Sequence, residues 1–408
     1  MDQLQLQAGA AVADITPPLE VGLLTSSVKG LYEPFESIRL PLKARVLVLQ
    51  SGDELVAIVA LDLLAINDTS VGGWTIFKQS LSDTIPADKI IICCTHTHSA
   101  PESSAMSGLY LTKSYKIWLD DMKQRIKTAI NEAIVRLKPS SLSISTDTLN
   151  GYSMQRRIKT PTGIIMSDAI QPIAPELLDL PPVDRRVKTL HFKDDSGCGI
   201  ATVVQAVCHP VHEMCIPKIS PEFPGEMCIA LEKTAQNGVA LFLNGAAGNT
   251  NPPTVSCGAE YARKHGIALA ETAQKQEGRV EIDITEFKFI HNELQLPARK
   301  EAGITNMDDA IGRLSVICIG VLAIVFLPGE VFIETAFEIE ENSPFEHTVI
   351  AGFGENNIGY LPTQAAFNEG GYEVGPGKWS FLKPGTDQLL AKEATRLLKE
   401  LYYTTINS

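Results

Sequence analysis

The stretch Ile91-Ile-Cys-Cys-Thr-His96-Thr-His98-Ser-Ala-Pro101 is an apolar run that ends in two histidines. In an extended backbone, residues two positions apart point to the same side, so both imidazoles are expected on one face of a strand end. Imidazole is the commonest metal ligand and the usual acid or base near neutral pH. His96 and His98 therefore indicate two metal ligands, or one ligand and one proton carrier. The plain alternative is a pair of surface histidines, although the chain holds only 8 histidines in 408 residues.

Length and composition indicate an ordinary globular protein, with 44% hydrophobic and 20% charged residues and a mean hydropathy of +0.05. A chain of 408 residues is long for one core, so two substructures or one large two-sheet body are expected. The formal net charge of -13, without a Lys/Arg cluster, argues against nucleic acid as a partner. No apolar run reaches the roughly 18 residues that a bilayer span requires, so no integral membrane segment is expected.

The N-terminal sequence and the cysteines favour a cytoplasmic location. Residues 1–9 lack the basic and apolar regions of a signal peptide. The 8 cysteines form no CxxC pair, and several lie in apolar, strand-like runs, which is typical of reduced, buried thiols. The oligomeric state has no signal in the sequence.

Two further apolar runs end in potential ligands. The run from Gly199 to Cys208 leads directly into His209, and the run from Val316 to Leu327, interpreted as one buried strand, leads into Glu330. Open α/β sheets place their sites at strand ends. The sequence therefore predicts that a metal or catalytic site lies where several strands end.

The rest of the chain alternates strand-like and helical patterns, with no repeat or clear linker. Strands are predicted over 42–50 and 54–66, and helices over 71–81, 114–137, 226–236, 259–276 and 387–402. The segment 150–184 is rich in proline and weakly periodic, as lids and substrate loops often are. We therefore expect residues 1–408 to form one α/β domain, with mixed β-sheets, flanking helices and a metal site at strand ends.

These motifs, in this order, resemble the neutral/alkaline non-lysosomal ceramidase family over roughly residues 9–385. The resemblance is carried by Ala13-Asp14-Ile-Thr-Pro17, Thr95-His-Thr-His-Ser99, Ala206-Val-Cys-His-Pro210, Pro328-Gly-Glu330, and Gly359-Tyr360 with Tyr372 twelve residues on. It implies an amidase that cleaves an N-acyl bond by attack of zinc-bound water, with one zinc ion per chain.

The resemblance also implies a role for each residue of the site. The zinc ligands would be His96, His209, Glu330 and Tyr360. His98 would carry the proton, and Arg156 and Tyr372 would lie beside the oxyanion. This agrees with general chemistry, because catalytic zinc takes about three firm N or O ligands and keeps one position open. Asp14 and Asp62 are candidates for the carboxylates that fix imidazole tautomers, although Asp62, near the end of a buried strand, is equally well explained as a paired core residue.

The chain departs from the family at several points. Asn249 replaces the family's aspartate after Gly248, and Gln155 replaces an asparagine beside Arg156, which has a second arginine next to it. We expect no C-terminal β-sandwich domain of the kind that full-length ceramidases carry. A small-molecule or peptide-like N-acyl substrate is therefore at least as suitable as ceramide presented in a bilayer.

Several alternatives stay open. The same scaffold suits a zinc-dependent esterase or phosphoesterase, or an inactive, metal-stabilised binding protein. A separate local metal cluster has no standard zinc spacing; it would use Cys208, His209, His212, Glu213 and Cys215. A serine hydrolase would use Ser99, Ser103 or Ser104, but no G-x-S-x-G motif frames them. Outside the predicted site, His212 is expected to line the substrate pocket, and the other histidines are interpreted as structural.

Overall fold

The computed structural model describes residues 5–24, 32–275 and 277–406. Two β-sheets dominate this part of the chain. The larger sheet has nine strands, in spatial order Phe287–Gln295, Ile311–Ile319, Leu322–Pro328, His347–Gly354, Ile90–Cys94, Glu54–Leu61, Lys43–Ser51, Gln7–Asp14 and Lys138–Pro139. The smaller sheet has five, in the order Val239–Asn244, Gly199–Ala206, Arg186–Lys193, Ser141–Thr148 and Val280–Glu281.

Helices and short ribbons complete the described structure. The α-helices are Asp68–Val71, Trp74–Gln79, Lys113–Val135, Glu222–Leu231, Ala259–Ala273, Ile333–Glu341, Gln364–Glu369 and Thr386–Ile406. The two-stranded ribbons are Leu23–Leu24 with Tyr32–Glu33, Ser37–Ile38 with Lys218–Ile219, Met154–Gln155 with Thr250–Asn251, Arg157–Thr160 with Gly163–Met166, and Glu330–Val331 with Tyr360–Leu361. None of the helices in these ranges has the length and apolar character that a membrane span requires.

The two sheets pack face to face between helical layers. One core lies between them and contains Leu47 and Ile58 from the larger sheet and Leu190 and Leu241 from the smaller. The other face of the larger sheet is covered by the helices 113–135, 333–341 and 386–406, and the outer face of the smaller sheet by the helices 222–231 and 259–273. Because the central strands of the larger sheet are buried on both faces, these strands are apolar almost throughout, as the sequence indicated.

Several strands end at one place, and this convergence positions the site. Gly354, at the end of its strand, pairs with Pro328 on one side and with Cys93 on the other. The neighbouring sheet delivers the strand 199–206, which precedes His209, and the strand 239–244, which is parallel to it. The predicted α/β class, with mixed sheets and flanking helices, is confirmed.

Some elements differ from the prediction. The run from Val316 to Leu327 is not one strand but parts of two antiparallel strands, joined by a tight turn at Gly320, whose φ is +54°. Because both strands are buried on both faces, no polar residue marks the turn. The predicted helix 71–81 is two short helices separated by Gly72 and Gly73, and the predicted helix 226–236 is Glu222–Leu231. Pro224 is tolerated there because it lies in the first turn.

Candidate active site

His96 lies just beyond the end of the strand Ile90–Cys94 and has a left-handed backbone, with φ +71°. That conformation is strained for a non-glycine residue and persists only where its surroundings fix it, often at functional sites. Here the His96 N–H donates to the Leu63 carbonyl oxygen at 2.9 Å, and Phe353 packs on the imidazole with 4.1 Å between ring centroids. His96 and His98 do meet, at 3.4 Å between their Nε2 atoms. They meet because the chain turns at His96, and not because both extend from one strand face as expected.

Backbone carbonyl groups orient the two most buried imidazoles. His96 Nδ1 donates to the Leu64 carbonyl oxygen at 2.8 Å, and His209 Nδ1 donates to the Ala247 carbonyl oxygen at 2.8 Å. Since a carbonyl can only accept, both Nδ1 atoms carry the proton and both Nε2 atoms present a lone pair. This arrangement fixes a metal-binding tautomer.

The carboxylates expected to orient the imidazoles have other roles. Asp62 is buried and accepts from Arg45 at 3.0 Å and from the Lys43 N–H at 2.9 Å. Asp14 accepts from Lys43 and Thr16. The orienting role expected of Asp14 was wrong, because nearby backbone carbonyls already satisfy the Nδ1 protons. For Asp62, the alternative of a paired core residue is confirmed.

Glu330 reaches the histidines from the ribbon that pairs it with Tyr360. Its Oε2 atom lies 3.2 Å from His209 Nε2 and 3.4 Å from His96 Nε2. The glycine-rich turn after the strand 239–244 holds this ribbon: Gly248 donates its N–H to the Val331 carbonyl oxygen at 2.9 Å. A Cβ at position 248 would lie 2.5 Å from the Glu330 carbonyl oxygen, so only glycine allows this approach.

The clustered atoms could hold a metal ion. The ligand nitrogens of His96, His98 and His209 all lie within 4.8 Å of one another. The Tyr360 hydroxyl is 3.5 Å from His209 Nε2. The Nε2 atoms of His96 and His209 and the Oε2 atom of Glu330 are all hydrogen-bond acceptors, so they cannot pair with one another. A cation among them would bind all three.

Burial sets the protonation of the site. It lowers the pKa of His98 well below its usual value, with neighbouring His96 and His209 adding to the effect, and it lowers the pKa of His209 to about 4. Burial also holds the pKa of the Tyr360 hydroxyl well above its ordinary value. Burial alone would raise the pKa of Glu330, but the two imidazoles outweigh it and hold that pKa well below the usual range. His98 and His209 are therefore neutral at pH 7 and Glu330 is ionised.

Of the two adjacent arginines, Arg156 faces the cluster. Its Nη1 atom lies 3.1 Å from His209 Nε2, and its guanidinium lies 5.1 Å from the centre of the Tyr360 ring. Its Nη2 atom is buried and has no hydrogen-bond partner in the described ranges. Burial opposes the charge, but Tyr360 and Glu373 raise the pKa of Arg156 above its ordinary value.

Glu373 is a residue of the site that the sequence did not reveal. It is fully buried and binds both arginines: Oε1 accepts from Arg156 Nε at 2.8 Å, and Oε2 accepts from Arg157 Nη1. Arg157 also donates to the Gly370 carbonyl oxygen at 2.7 Å, which ties it to the chain segment of Glu373. Glu373 neighbours Tyr372, which is the only sequence signal that could have drawn attention to it.

Tyr372 lies at the outer side of the cluster, 36% exposed. Its ring stacks on Trp379 with 5.6 Å between centroids and contacts the Tyr360 ring edge-on at 5.8 Å. Burial and the charge of Glu330 raise the pKa of its hydroxyl to about 12, so the hydroxyl stays protonated and can donate.

Asn249, which replaces the aspartate expected from the resemblance, has a structural partner. Its Oδ1 accepts from the Ile333 N–H at 3.0 Å and its Nδ2 donates to Glu334 at 2.8 Å. Glu334 is largely buried, and burial raises its pKa. An aspartate at 249 would place a second negative charge there, so the amide suits this chain.

The residues considered for the substrate pocket, a local metal cluster and a serine nucleophile have other partners. His212 does not line the site: it forms a buried pair with His265, with 3.1 Å between the two ring nitrogens. Cys208 directs its thiol toward the Tyr152 carbonyl oxygen, and Cys215 is exposed, so they do not form a local metal cluster. The serines beside His98 donate to neighbouring acceptors, Ser99 to the Glu213 carbonyl oxygen, Ser103 to the Ala65 carbonyl oxygen and Ser104 to Glu102.

The fold as a whole is similar to solved structures of ceramidases. The structure matches a crystal structure of neutral ceramidase from Pseudomonas aeruginosa with a TM-score of 0.75 and 19% sequence identity, over 98% of this chain and 75% of that one. It also matches a structure of ceramidase complexed with C2, with a TM-score of 0.76 and 18% identity, over 97% of this chain and 76% of that one. The neutral ceramidase fold is therefore confirmed.

The sequence matches no protein-family model, and no curated protein sequence is significantly similar to it.

Proposed function

We propose that the chain is a zinc-dependent hydrolase that cleaves a linear N-acyl amide bond, with one zinc ion in a single catalytic domain. The observation that carries this proposal is that one carboxylate oxygen, Glu330 Oε2, lies 3.2 Å from His209 Nε2 and 3.4 Å from His96 Nε2. The proposed ligands are His96, His209 and Glu330, with the neutral hydroxyl of Tyr360 as a weaker fourth.

The spacing of these atoms supports a zinc-sized ion. Ligand atoms about 2.0–2.1 Å from a tetrahedral ion lie about 3.3–3.4 Å from one another. The separations of the Glu330 oxygen from the two imidazole nitrogens, 3.2 and 3.4 Å, are close to that edge length. Bound zinc would supply Lewis acidity and would lower the pKa of a coordinated water to about 7.

His98 is the proposed proton carrier. It is less buried than His96 and His209, and its Nε2 atom faces the cluster at 3.4 Å from His96 Nε2. Since its low pKa keeps it neutral, it can take the proton of the attacking water and deliver it to the departing amine. Such proton transfer typically contributes a rate factor of about 10²–10⁴.

Arg156 and Tyr372 are the proposed donors to the developing oxyanion. The Arg156 Nη2 atom is buried without a partner in the described ranges, which leaves a hydrogen-bond donor ready for substrate oxygen. Tyr372 adds a second donor at the exposed side of the cluster. Fixed donors of this kind stabilise the charge that forms when a carbonyl is attacked.

The substrate is proposed to be a small-molecule or peptide-like N-acyl compound, and a ceramide-like lipid fits the structural neighbours. A cytoplasmic location is part of the proposal and is supported by five buried thiols, those of Cys93, Cys94, Cys208, Cys228 and Cys318.

Hydrolysis of a panel of N-acyl amides, with matching esters and phosphoesters, tests the proposal. Zinc is measured by elemental analysis in the same preparations, purified without chelator. We expect about one zinc per chain and release of amine from at least one amide, lost in His98→Ala with the metal retained. Cleavage of esters or phosphoesters alone would reassign the reaction, and bound zinc without any turnover would favour a binding protein. Protein without metal would contradict the proposal.

A further inference from the structure

Basic side chains line a cavity on the outer face of the smaller sheet. Along the strand Arg186–Lys193, Leu190 and Phe192 face the core between the two sheets. Because successive side chains of a strand alternate between its faces, His191 and Lys193 lie on the opposite, outer face. Both line a cavity of about 110 Å³. Since one water molecule occupies about 30 Å³, the cavity has room for a small polyatomic ion.

The other walls of the cavity are rich in hydrogen-bond donors. Arg279, which precedes the strand Val280–Glu281, is one of them. The remaining side chains carry a hydroxyl or an amide group and are those of Thr234, Gln236, Asn237 and Gln274. None of the described residues that line the cavity is an aspartate or a glutamate, although the chain has 48 acidic residues and a formal net charge of -13. The lining therefore favours an anion.

His191 holds Arg279 in the wall of the cavity. Its Nε2 atom lies 2.8 Å from Arg279 Nη2, and because a guanidinium can only donate, the imidazole nitrogen accepts. The other ring nitrogen donates to the Ala273 carbonyl oxygen. Burial lowers the pKa of His191 to about 4, and the charges of Arg279 and Lys193 add to the effect. His191 is therefore neutral at pH 7, and both cations lie close to it.

Arg279 and Lys193 form no ion pair within the described part of the chain. The Arg279 Nε atom is buried and has no hydrogen-bond partner there. Burial lowers the pKa of Arg279 below its ordinary value, and the charge of Glu281 opposes that effect only in part. By contrast, the buried Arg45 pairs with two carboxylates. The two cations of the cavity thus lack the counter-charge that arginines elsewhere in this protein have.

The carbonyl groups at the two nearby helix ends do not account for these cations. The Leu231 carbonyl oxygen, at the end of one helix, accepts from Asn237 Nδ2 at 2.8 Å. The Ala273 carbonyl oxygen, at the end of the other, accepts from His191. Both helix ends are therefore satisfied by other side chains, which leaves the two cations for a group from outside the chain.

The cavity is separate from the histidine cluster. Lys193 pairs with Gly199, at the start of the strand that ends at Ala206 and leads into His209. This strand of 8 residues is about 23 Å long, at about 3.3 Å per residue. The cavity is therefore a second site, and its ligand does not depend on the proposed amide hydrolysis.

We propose that this cavity binds the phosphate group of a small molecule. A phosphate monoester carries a charge of about −1.5 to −2 at pH 7, which two cations match, whereas a carboxylate would leave one of them without a counter-charge. Arg279 and Lys193 supply charge-assisted hydrogen bonds to its oxygens. The Thr234 hydroxyl accepts from Asn237 Nδ2 at 2.9 Å and keeps its own proton for a further acceptor.

Isothermal titration calorimetry with inorganic phosphate, ethyl phosphate and acetate tests the site. The wild type should bind both phosphates more tightly than acetate. Arg279→Gln and Lys193→Gln should each weaken phosphate binding about 10–100-fold, as expected for the loss of a hydrogen bond to a charged group. The matched control is Lys233→Gln, which removes an exposed positive charge from the turn that contains Thr234 and should bind phosphate as the wild type does.

Thermal unfolding without phosphate checks that the variants are folded. If Arg279→Gln does not fold, Lys193→Gln still decides, because Lys193 forms no ion pair in the described ranges. The proposal is overturned if the wild type binds neither phosphate, if a folded cavity variant binds phosphate as the wild type does, or if Lys233→Gln loses affinity equally.

Vesicles of phosphatidylcholine, with and without phosphatidic acid, distinguish a lipid headgroup from a soluble phosphate. We expect the protein to remain in the supernatant with both kinds of vesicle while it binds ethyl phosphate in solution. Sedimentation with phosphatidic acid vesicles that is lost in Arg279→Gln, without binding of the soluble phosphates, would overturn the assignment to a small molecule.

Discussion

Two groups of buried histidines in this protein use the same residue type in opposite ways. In the pair His212 and His265, one ring nitrogen donates to the other at 3.1 Å, and His212 Nδ1 faces the Thr254 carbonyl oxygen at 2.8 Å. His265 stacks on Phe223 with 3.9 Å between ring centroids. At the strand ends, by contrast, the Nε2 atoms of His96 and His209 both present lone pairs toward the carboxylate of Glu330.

The difference shows what makes a buried histidine group a candidate metal centre. Burial is shared, and it lowers the pKa of both members of the structural pair. The two groups differ in how their hydrogen-bonding atoms are paired. In the structural pair, one ring nitrogen donates a hydrogen bond to the other. At the strand ends, two imidazole nitrogens and a carboxylate oxygen face one another, and all three are acceptors. Substitutions in the two groups should therefore have different consequences.

The largest effect is expected from Glu330→Gln. Replacing the carboxylate removes the negative charge of the proposed site while keeping its shape, so zinc should be lost and amide hydrolysis abolished. His212→Gln is the matched change in the structural pair and should keep the metal and most of the activity. Elemental analysis and turnover of the same preparations compare the two variants. Metal loss in both, or in neither, would remove the distinction between the groups.

Next in size is the loss of the proton carrier. His98→Ala should reduce kcat about 10²–10⁴-fold and leave the zinc content unchanged, because His98 is not among the proposed ligands. A stopped assay with sensitive amine detection measures the residual rate, and elemental analysis checks the metal. If His98→Ala loses zinc, His98 is a ligand, and the group of three imidazoles is the metal site.

A smaller effect on turnover is expected at Glu373, which holds Arg156 in place. Glu373→Gln removes the buried counter-charge that two buried guanidinium groups share, which should lower the free energy of unfolding by about 3–5 kcal/mol. Displacement of Arg156 should lower kcat by up to about 100-fold, with zinc retained. Urea unfolding and steady-state kinetics measure the two effects.

Glu369→Gln provides the control for that experiment. Glu369 also pairs with Arg157, at 3.6 Å, but its side chain is 31% exposed. Pairs that water reaches contribute about 0–1 kcal/mol, so this variant should resemble the wild type in stability and turnover. Equal effects of the two substitutions would mean that Glu373 has no special role.

The smallest effect concerns stability as a function of pH. Burial lowers the pKa of His212 to about 4, whereas an exposed histidine has a pKa of about 6.5. Between these pH values the unfolded chain binds a proton that the folded chain does not. The stability gained from the neutral histidine is therefore complete above about pH 6.5 and is lost as the pH falls toward 4.

His212→Gln tests this dependence. The wild type should lose up to about 3 kcal/mol relative to the variant as the pH falls from 7 to 4. Denaturant unfolding of both proteins at a series of pH values gives the difference directly. Parallel stability curves would show that His212 does not titrate on unfolding.

The sequence predicted the fold and the strand-end residues because both follow from local pattern. Apolar runs predict buried strands, and a histidine or glutamate after such a run is visible by position alone, as at His209 and Glu330. The predicted single strand across Gly320 was wrong for a related reason: where both faces are buried, one glycine is the only sign of a turn. The helices were predicted with ends that differ from those in the structure by up to five residues.

What the sequence did not predict depends on contacts between distant residues. Glu373 meets Arg156 across more than 200 positions, and the preference of Asn249 over aspartate is explained by Glu334, 85 positions away. The left-handed backbone of His96 is set by the Leu63 and Leu64 carbonyl groups and by packing on Phe353. None of these contacts has a periodicity or a spacing that a single sequence displays.

The most direct test of the central claim is a crystal structure with anomalous diffraction measured on both sides of the zinc absorption edge. We predict one anomalous peak per chain, about 2.0–2.2 Å from His96 Nε2, His209 Nε2 and a Glu330 oxygen. A structure without a peak among these three residues, or with the metal at His212 and His265, would contradict the account.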